Sequence, residues 1–380
     1  MFSFFSPQAI HFGRGQSQQA AALAATFGKN VVLVHGSTAA RAQWLIDHCA
    51  SAGLTLRSLT CKNEPSLPDI ECALAGLKGS QPDVVIGLGG GSVIDFAKAL
   101  AALIPCADKP IEYLEGVGGG RALDQAPIPM IALPTTAGTG AEVTKNAVIS
   151  VPEYAVKVSL RDARMIPNIA IVDPDLMQGA PKHVALTAGL DAITQVIEPY
   201  VSCKANPMSD ALCRAAIPIG LKAIRDLVEQ DASRAWDDMA WVSTCGGLAL
   251  ANAGLGAVHG FAGVIGGKTN APHGEICGLL LPAVLESHLR NAQEHSDIYA
   301  RLSWIVQQID ALFAHGENGA GIGALRQWSA QMGLRGLVEL GLAPADFPKI
   351  AAESANTSSM KGNPFALSQA ELVQILNSAK

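Results

Sequence analysis

The sequence lacks the features that mark secreted, membrane-spanning and nucleic-acid-binding proteins. Its eight cysteines show no paired short spacing, which argues against a disulfide framework and favours a reducing compartment, the cytoplasm. No apolar run reaches the roughly 18 residues that a membrane span needs, and no basic segment followed by an apolar stretch opens the chain. Basic residues are scattered and the net charge is −6, so neither nucleic acid nor a membrane surface is an expected partner. Small molecules are the better candidates.

The chain is long and apolar enough to form two domains. Its 380 residues are 49% hydrophobic and 16% charged, which allows a sizeable buried core. In residues 1–178, short β-branched runs alternate with Ala/Leu-rich helical patterns, and the opening MFSFF reads as a first strand. The clear runs are NVVLV (30–34), TLRSLTC (55–61), DVVIGLGG (83–90), PMIALPTT (129–136) and NIAIVD (168–173). This alternation predicts parallel strands joined by crossover helices and covered on both faces.

The second half of the chain has a different pattern. After Pro181 the strand-like runs disappear, and Ala/Leu-rich segments with helical spacing continue to Lys380. Two prolines and a glycine interrupt the periodicity in DPDLMQGAPKHV, which predicts a boundary there. The sequence therefore predicts an α/β nucleotide-binding domain over 1–178 and an all-α domain over 179–380.

A glycine-rich turn follows the third clear strand. Gly89, Gly90 and Gly91 would let the backbone approach a pyrophosphate, and the next helix would offer its N-terminal N–H groups, with Ser92 as the predicted N-cap. The order of glycines is a near miss for G-x-G-x-x-G, and such a turn is also often a simple tight connection.

A second polar turn leaves the next strand in the same direction. Thr135, Thr136 and Thr139 carry hydroxyls that could bind phosphate or ribose, although threonines in such stretches more often cap the turn locally. Because ligands bind at the carboxyl ends of neighbouring strands in an open sheet, the two turns together favour a nucleotide site.

The helical half contains a group of metal-ligand side chains. Asp191 and Gln195 are four residues apart within an apolar helix, so they share a face, and a buried carboxylate is normally paired or metal-bound. His259 and His273 lie 14 residues apart, each followed by glycine. One carboxylate and two imidazoles suit iron(II) or zinc, whereas a single histidine on an apolar segment is more often structural.

Six segments, in this order along the chain, resemble those of iron-containing alcohol dehydrogenases. They are GGGSVIDFAKA, LPTTAGTGAEVT, IPNIAIVDPDLM, TAGLDAI, NAGLGAVHG and APHGE. The resemblance, which also places the chain in the dehydroquinate synthase-like superfamily, implies an N-terminal Rossmann-like domain, a helical C-terminal domain and a metal in the cleft between them. A homodimer is expected.

The resemblance also implies a ligand set. The metal ligands of the family fall on Asp191, His259 and His273, while the usual first histidine falls on Gln195, a weak ligand that is left as a fourth position. Glycerol dehydrogenases of the wider superfamily use an Asp/His/His set, so zinc competes with iron as the expected metal. Gly263 stands where many members carry an additional histidine near the substrate. Cys277, near His273 in sequence, reads as a packing residue.

For the cofactor, the resemblance implies NAD or NADP. Pyrophosphate is expected at Gly90, Gly91 and Ser92, and the nicotinamide side near a second set of residues. That set is Thr135, Thr136, Thr139, Val148 and Lys157. Gly36 follows NVVLVH where an NAD-preferring member often carries Asp, whose carboxylate would bind the ribose hydroxyls and repel a 2′-phosphate, so NADP is expected to be tolerated.

The implied activity is oxidation of a small alcohol, or reduction of an aldehyde or ketone, by metal-assisted hydride transfer. The alternatives are an oxo-acid reductase of the maleylacetate type, a lyase resembling dehydroquinate synthase, and a degenerate member that binds dinucleotide without turnover. The lyase would need several basic residues for a phosphorylated substrate, and the segment 191–275 has few.

Overall fold

The computed structural model describes residues 1–154, 156–269, 271–314 and 319–380. The chain divides into two compact units. An α/β unit comprises Phe5–Thr136 and Gly140–Gln178, and a helical unit comprises Met1–Phe4, Ala137–Thr139 and Gly179–Lys380. The predicted fold class, an α/β region followed by a helical region, is confirmed.

The α/β unit is built on a six-stranded parallel sheet with the order β1-β8-β5-β4-β2-β3. The strands of this sheet are β1 (Ala9–Phe12), β2 (Asn30–His35), β3 (Thr55–Thr60), β4 (Val84–Gly89), β5 (Met130–Pro134) and β8 (Ile169–Val172). The helices of the unit are α1 (Ala20–Ala25), α2 (Gln43–Ser51), α3 (Leu67–Gly76) and α4 (Gly91–Leu103). Parallel neighbours require crossover connections, and these helices supply them between β2, β3, β4 and β5.

Both faces of the central strands are buried, as predicted. Val32 and Val34 belong to one apolar cluster, whereas Val31 and Leu33 belong to another on the opposite face. Side chains alternate between the two faces of a strand, so a continuous apolar run fits only a sheet that is covered twice.

Two local predictions need correction. The opening MFSFF forms no strand, and the first strand is Ala9–Phe12, which pairs in parallel with β8. An antiparallel hairpin of β6 (Asn146–Val151) and β7 (Val156–Arg161) was not foreseen.

The helical unit has no strand within its described residues. Its helices are α5 (Lys182–Val201), α6 (Pro207–Gln230), α7 (Ser233–Ala253), α8 (Ala257–Lys268), α9 (His273–Asn291), α10 (Asp297–Phe313), α11 (Ile322–Gln331), α12 (Phe347–Ser354) and α13 (Gln369–Asn377). Helix α5 packs against α6, α7 and α9. Every residue of α5 from Gly189 to Val201 is buried, so polar side chains on this helix meet other protein groups rather than bulk water.

Across the described ranges, no individual helix has the length and apolar character to cross a membrane. The pair α7 and α8, bent by 100° at the break between them, passes the length and composition test when taken together.

Candidate metal centre

Helix α5 carries three polar side chains on one face. Asp191, Gln195 and Glu198 follow one another at spacings of four and three residues, which aligns them along a helix, and each is 2–3% exposed. Gln195 donates a hydrogen bond from Nε2 to the carbonyl of Gly138 at 3.0 Å. The sequence prediction that Asp191 is buried in an apolar helix is confirmed by this burial.

Helix α8 presents His259 to this face. The Glu198 carboxylate accepts hydrogen bonds from the backbone N–H of Val258 at 2.7 Å and from Nδ1 of His259 at 2.6 Å. Glu198 thus satisfies one of the otherwise unpartnered N–H groups at the start of α8 and orients the imidazole at the same time. With Nδ1 engaged in this way, Nε2 of His259 is directed at Asp191 Oδ1, 3.2 Å away.

Helix α9 brings the other two side chains of the cluster, His273 and Cys277, which are one helical turn apart. This is possible because α9 approaches α5 closely at two glycines. A Cβ at Gly274 would lie 2.2 Å from the carbonyl oxygen of Thr187, and one at Gly278 would lie 2.5 Å from a methyl carbon of Leu190. Only glycine fits at such separations, so both positions fix the distance from α9 to Asp191.

The four donors form one compact group. Asp191, His259, His273 and Cys277 each offer a ligand atom, and all four atoms lie within 4.8 Å of one another. His273 Nε2 lies 4.0 Å from Asp191 Oδ1, and Cys277 Sγ lies 3.8 Å from His259 Nε2. Three of the side chains are buried, whereas that of His273 is 42% exposed.

The electrostatics of the group follow from burial and from the mutual charges. Burial alone would raise the pKa of Asp191, but the hydrogen bond from His259 and the charge of His273 lower it below its usual value. Burial would lower the pKa of His259, yet its neighbours Cys277, Glu198 and Asp191 together raise that pKa well above its usual value. Partial burial would also lower the pKa of His273, but Cys277 and Asp191 outweigh that effect and raise it to about 9.

This donor set fits a divalent cation. A carboxylate, two imidazoles and a thiol are ligand types that zinc and iron(II) accept, and the Glu198–His259 hydrogen bond is the carboxylate–histidine support typical of such sites. Gln195 Oε1 is buried and has no hydrogen-bond partner in the described part of the chain. Buried polar atoms normally have a partner, so this oxygen indicates that a bound group could interact with it. Asp191, His259 and His273 are the residues that would hold the ion.

The predicted phosphate turn lies between β4 and α4. Gly90 is the N-cap of α4, and Gly91 and Ser92 occupy its first turn, so the expectation that Ser92 caps the helix is wrong. The 13-residue helix directs its N-terminus toward the turn, with the dipole and N–H groups that favour an anion. Thr136 lies beside this turn, because its Oγ1 would be 3.3 Å from a Cβ at Gly90.

The other predicted cofactor residues lie in four places. Thr135 follows β5 and donates its backbone N–H to the carbonyl of Gly89 at 3.0 Å, while Thr139 belongs to the helical unit. Val148 and Lys157 lie on the two strands of the β6–β7 hairpin. Val148 donates its backbone N–H to Asp95 at 3.0 Å, and Lys157 forms an ion pair with Glu64 at 2.5 Å.

Gly36 follows β2, the strand next to β4. The chain runs from β2 to β3 on one side and from β4 to β5 on the other, so the carboxyl ends of β2 and β4 flank the point where the strand order reverses. Open α/β sheets bind their ligands at this point. A Cβ at Gly36 would meet only a methyl carbon of Val93, at 4.0 Å, so a side chain has room there.

Sequence reasoning did not single out Glu198, and it interpreted Cys277 as a packing residue although its sulfur lies among the potential ligands. Glu198 stands seven residues after Asp191, two turns along the same face, which is a signal that the sequence does contain. Cys277 stands four residues after His273, the spacing that would place it on the same side of a helix, but its apolar neighbours argued for packing.

Family models and a curated relative match most of the chain. The model of the family described as iron-containing alcohol dehydrogenase matches residues 7–174, and that of the C-terminal region of Fe-containing alcohol dehydrogenases matches residues 185–380. Alcohol dehydrogenase 4 of Saccharomyces cerevisiae is 32% identical over 317 residues, covering 83% of this chain and 80% of the yeast protein.

Solved structures agree over the full length. A 1,3-propanediol oxidoreductase superposes with a TM-score of 0.89 at 26% identity and covers 100% of both chains. Sulfoacetaldehyde reductase from Bifidobacterium kashiwanohense, solved in complex with NAD⁺, gives a TM-score of 0.86 at 25% identity and covers 100% of this chain and 98% of the other. The protein belongs to the iron-containing alcohol dehydrogenase family and is an oxidoreductase that acts on CH–OH groups.

Proposed function

We propose that this chain is a metal-dependent, NAD(P)-linked dehydrogenase of small alcohols, or reductase of the corresponding aldehydes and ketones, with Asp191, His259 and His273 as its metal ligands. The observation that carries the proposal is the buried cluster in which these three side chains meet. Residues 1–178 are the dinucleotide-binding part in this proposal, and residues 179–380 the metal- and substrate-binding part.

A metal held by Asp191, His259 and His273 would supply Lewis-acid stabilisation of negative charge on the substrate oxygen, and a bound nicotinamide would supply the hydride chemistry. The residues of the chain provide position and charge. Asp191 contributes the negative charge that balances the cation, while His259 contributes a neutral nitrogen held in place by Glu198. Burial of Asp191 and His259 limits their contact with water, which strengthens the charge interaction between them.

The proposed coenzyme site is the turn at Gly90, Gly91 and Ser92, with Gly36 on the adenosine side. The family binds NAD, and the complex of sulfoacetaldehyde reductase with NAD⁺ supports NAD here as well. Gly36 carries no carboxylate to repel a 2′-phosphate, which supports use of NADP in addition. The nicotinamide side is proposed near Thr135, Thr136, Thr139, Val148 and Lys157.

Position 263 bears on substrate choice. A Cβ at Gly263, one turn after His259 on α8, would meet no atom within 4 Å. The glycine therefore leaves open the space that a histidine occupies in many members of the family. We expect a larger substrate to be accepted there, and the proton to be exchanged through water or the coenzyme ribose.

The eight cysteines are free thiols, which supports the cytoplasm as the location. A homodimer and a choice between iron(II) and zinc also belong to this proposal. Sedimentation of the purified protein tests the first, and elemental analysis the second.

The proposal is tested by His259→Ala, with His183→Ala, an exposed histidine on α5, as the matched control. Metal content and NADH- or NADPH-dependent reduction are measured over a panel of small aldehydes and oxo acids. We expect His259→Ala to lose both metal and turnover and His183→Ala to keep both. Metal and turnover that survive His259→Ala would contradict the proposed site.

A further inference from the structure

The sulfur of Cys277 lies among the potential metal ligands, which a role in packing alone does not require. Cys277 is fully buried on α9, and its sulfur lies 3.8 Å from Nε2 of His259, the nitrogen that also faces Asp191. The other buried cysteines, such as Cys213 on α6, lie outside the group of potential ligands found among the described residues.

We propose that Cys277 is itself a metal ligand, so that the site is an Asp/His/His/Cys set in which a thiolate replaces the imidazole missing at Gln195. The proposal rests on the proposed function, because it assumes that a metal binds at Asp191, His259 and His273. Its chemical consequence is a site that prefers zinc, since a soft sulfur ligand favours zinc over iron(II) in a site with nitrogen and oxygen donors.

Two of the separations between donor atoms are close to those around a single zinc ion. With Zn–N and Zn–O bonds of about 2.05 Å and a Zn–S bond of about 2.3 Å, tetrahedral ligands are separated by about 3.3 Å for two N or O atoms and about 3.6 Å for S and N. The Asp191–His259 separation is 3.2 Å, the Cys277–His259 separation is 3.8 Å, and the His273–Asp191 separation is 4.0 Å. Cys277 therefore lies near the separation expected of a fourth tetrahedral ligand, whereas His273 must move closer to Asp191 when an ion binds.

The helix packing holds the sulfur in that position. Gly274 and Gly278 flank Cys277 and bring α9 close to α5, at the backbone of Thr187 and at the side chain of Leu190, so the backbone of Cys277 cannot move away from α5 without separating the two helices. Cys277 and His273 are one turn apart on α9 and face the same partner. A rigid position of this kind is what a metal site requires of its ligands.

Gln195 is the weaker candidate for the same role. Its amide nitrogen is engaged by the carbonyl of Gly138, and its oxygen is neutral, whereas a thiolate adds a full negative charge. Asp191 and a Cys277 thiolate together neutralise a divalent ion. When the ligand bond forms, the thiol gives up its proton to solvent, and no oxidation is involved.

Four protein ligands do not close the site to substrate, because zinc can expand to five-coordination. The sulfur instead lowers the residual positive charge on the ion compared with the Asp and three His of the family pattern. We expect a metal that is held firmly and selects zinc over iron(II) from a mixture of the two.

The test uses the wild-type holoenzyme first. X-ray absorption at the zinc edge should detect one sulfur at about 2.3 Å among lighter ligands. A cobalt(II)-substituted sample should show thiolate-to-cobalt charge-transfer absorption in the near ultraviolet. A second outcome is that cobalt binds and shows its visible-region bands while neither the X-ray absorption nor the near-ultraviolet spectrum shows a sulfur ligand. In that case Cys277 is not a ligand and the proposed function stands. If neither ion binds, the proposed function fails as well.

Variants then show which residue supplies the sulfur ligand. Cys277→Ser should lose the charge-transfer band. Loss of a residue that only hydrogen-bonds to a metal ligand lowers metal affinity by roughly 10- to 100-fold, and the zinc affinity of Cys277→Ser should fall by more than that. Cys213→Ser, the matched buried control, and Gln195→Ala should both keep the band. A band that persists in Cys277→Ser would overturn the proposal. The wild-type spectra decide the question even if Cys277→Ser fails to fold.

Discussion

Glu198 accepts a hydrogen bond from Nδ1 of His259 at 2.6 Å, and this bond sets which imidazole nitrogen faces Asp191. The same carboxylate accepts the N–H of Val258 at the start of α8. Glu198 is thus a positioning residue, which acts on the proposed metal through His259. Its two bonds link the helix that carries Asp191 to the helix that carries His259.

Glu198→Gln should weaken metal binding without removing a ligand. The neutral amide holds His259 less firmly and lowers its basicity, so zinc affinity should fall by roughly 10- to 100-fold. Competition with a coloured chelator measures this loss. Glu198→Asp, which keeps the charge on a shorter side chain, should recover part of the affinity. Equal affinities in wild type and Glu198→Gln would mean that the bond to His259 does not tune the site.

Variants at Gln195 test whether this residue is a metal ligand or only lies next to the site. Gln195→Ala should keep most of the metal, because Asp191, His259 and His273 remain. Gln195→His should tighten binding by about tenfold or more, for which about 1.4 kcal/mol from the added imidazole is sufficient. Metal content after dialysis against graded chelator gives both results. Loss of metal in Gln195→Ala would identify the amide oxygen as a true ligand.

Gly36→Asp should change coenzyme preference. A carboxylate at the end of β2 would accept hydrogen bonds from the ribose hydroxyls and repel a 2′-phosphate. The NAD/NADP ratio of kcat/KM should rise by roughly tenfold or more, since about 1.4 kcal/mol of differential binding gives that factor. Both coenzymes are measured with one substrate. An unchanged ratio in a folded, metal-loaded variant would place Gly36 away from the adenosine ribose.

Gly274→Ala should separate α9 from α5. Its new Cβ would lie 2.2 Å from the Thr187 carbonyl, so the helices must shift, at a cost of about 1–3 kcal/mol. Metal affinity should fall with stability, because His273 and Cys277 move with α9. Gly267→Ala is the control: that helical position on α8 is open within 4 Å, and alanine there should be neutral or stabilising. Urea unfolding of the metal-free proteins and chelator competition measure the two effects, and equal behaviour of the variants would contradict the close packing.

His288 should make stability depend on pH. Burial lowers its pKa to about 4, against smaller opposing effects of Glu198 and Asn363, and neither ring nitrogen has a hydrogen-bond partner among the described residues. The unfolded chain, with a pKa of about 6.5 for this group, binds the proton more readily. The free energy of unfolding is therefore highest, as far as His288 is concerned, above about pH 6.5. It falls by on the order of 3 kcal/mol as the pH drops from there toward about 4.

His288→Phe keeps the ring beside Phe365 and removes the titrating group. Urea midpoints of the metal-free proteins between pH 4 and 7 should fall less steeply for the variant than for wild type. Parallel curves would show that His288 is not protonated on unfolding in this range.

The sequence predicted the elements with strong local patterns. The continuous apolar runs of β2, β4 and β5 predict a sheet that is buried on both faces, because such strands do not alternate between apolar and polar residues. The β6–β7 hairpin was missed because its strands are partly exposed, so that Val148 and Val156 lie on the surface and leave a weak pattern.

The sequence alone singled out only part of the group of potential ligands. Asp191, His259 and His273 have ligand chemistry that can be read from residue type and from the family resemblance. Glu198 and Cys277 join this group through tertiary contacts, since Glu198 meets a histidine 61 positions away and Cys277 meets one 18 positions away. The close approach of α9 to α5 at Gly274 and Gly278 positions Cys277, and one sequence does not reveal which buried cysteine lies beside His259.

The central claim is that a metal at Asp191, His259 and His273 is required for turnover. The most direct measurement is a titration of metal-free protein with zinc and, separately, with iron(II), in which bound metal and NADH-dependent reduction of a small aldehyde are followed in the same samples. We expect activity to rise in proportion to bound metal in wild type, and Asp191→Ala to bind no stoichiometric metal and to gain no activity. Full activity in the metal-free wild type, or metal-dependent activity in Asp191→Ala, would contradict the claim.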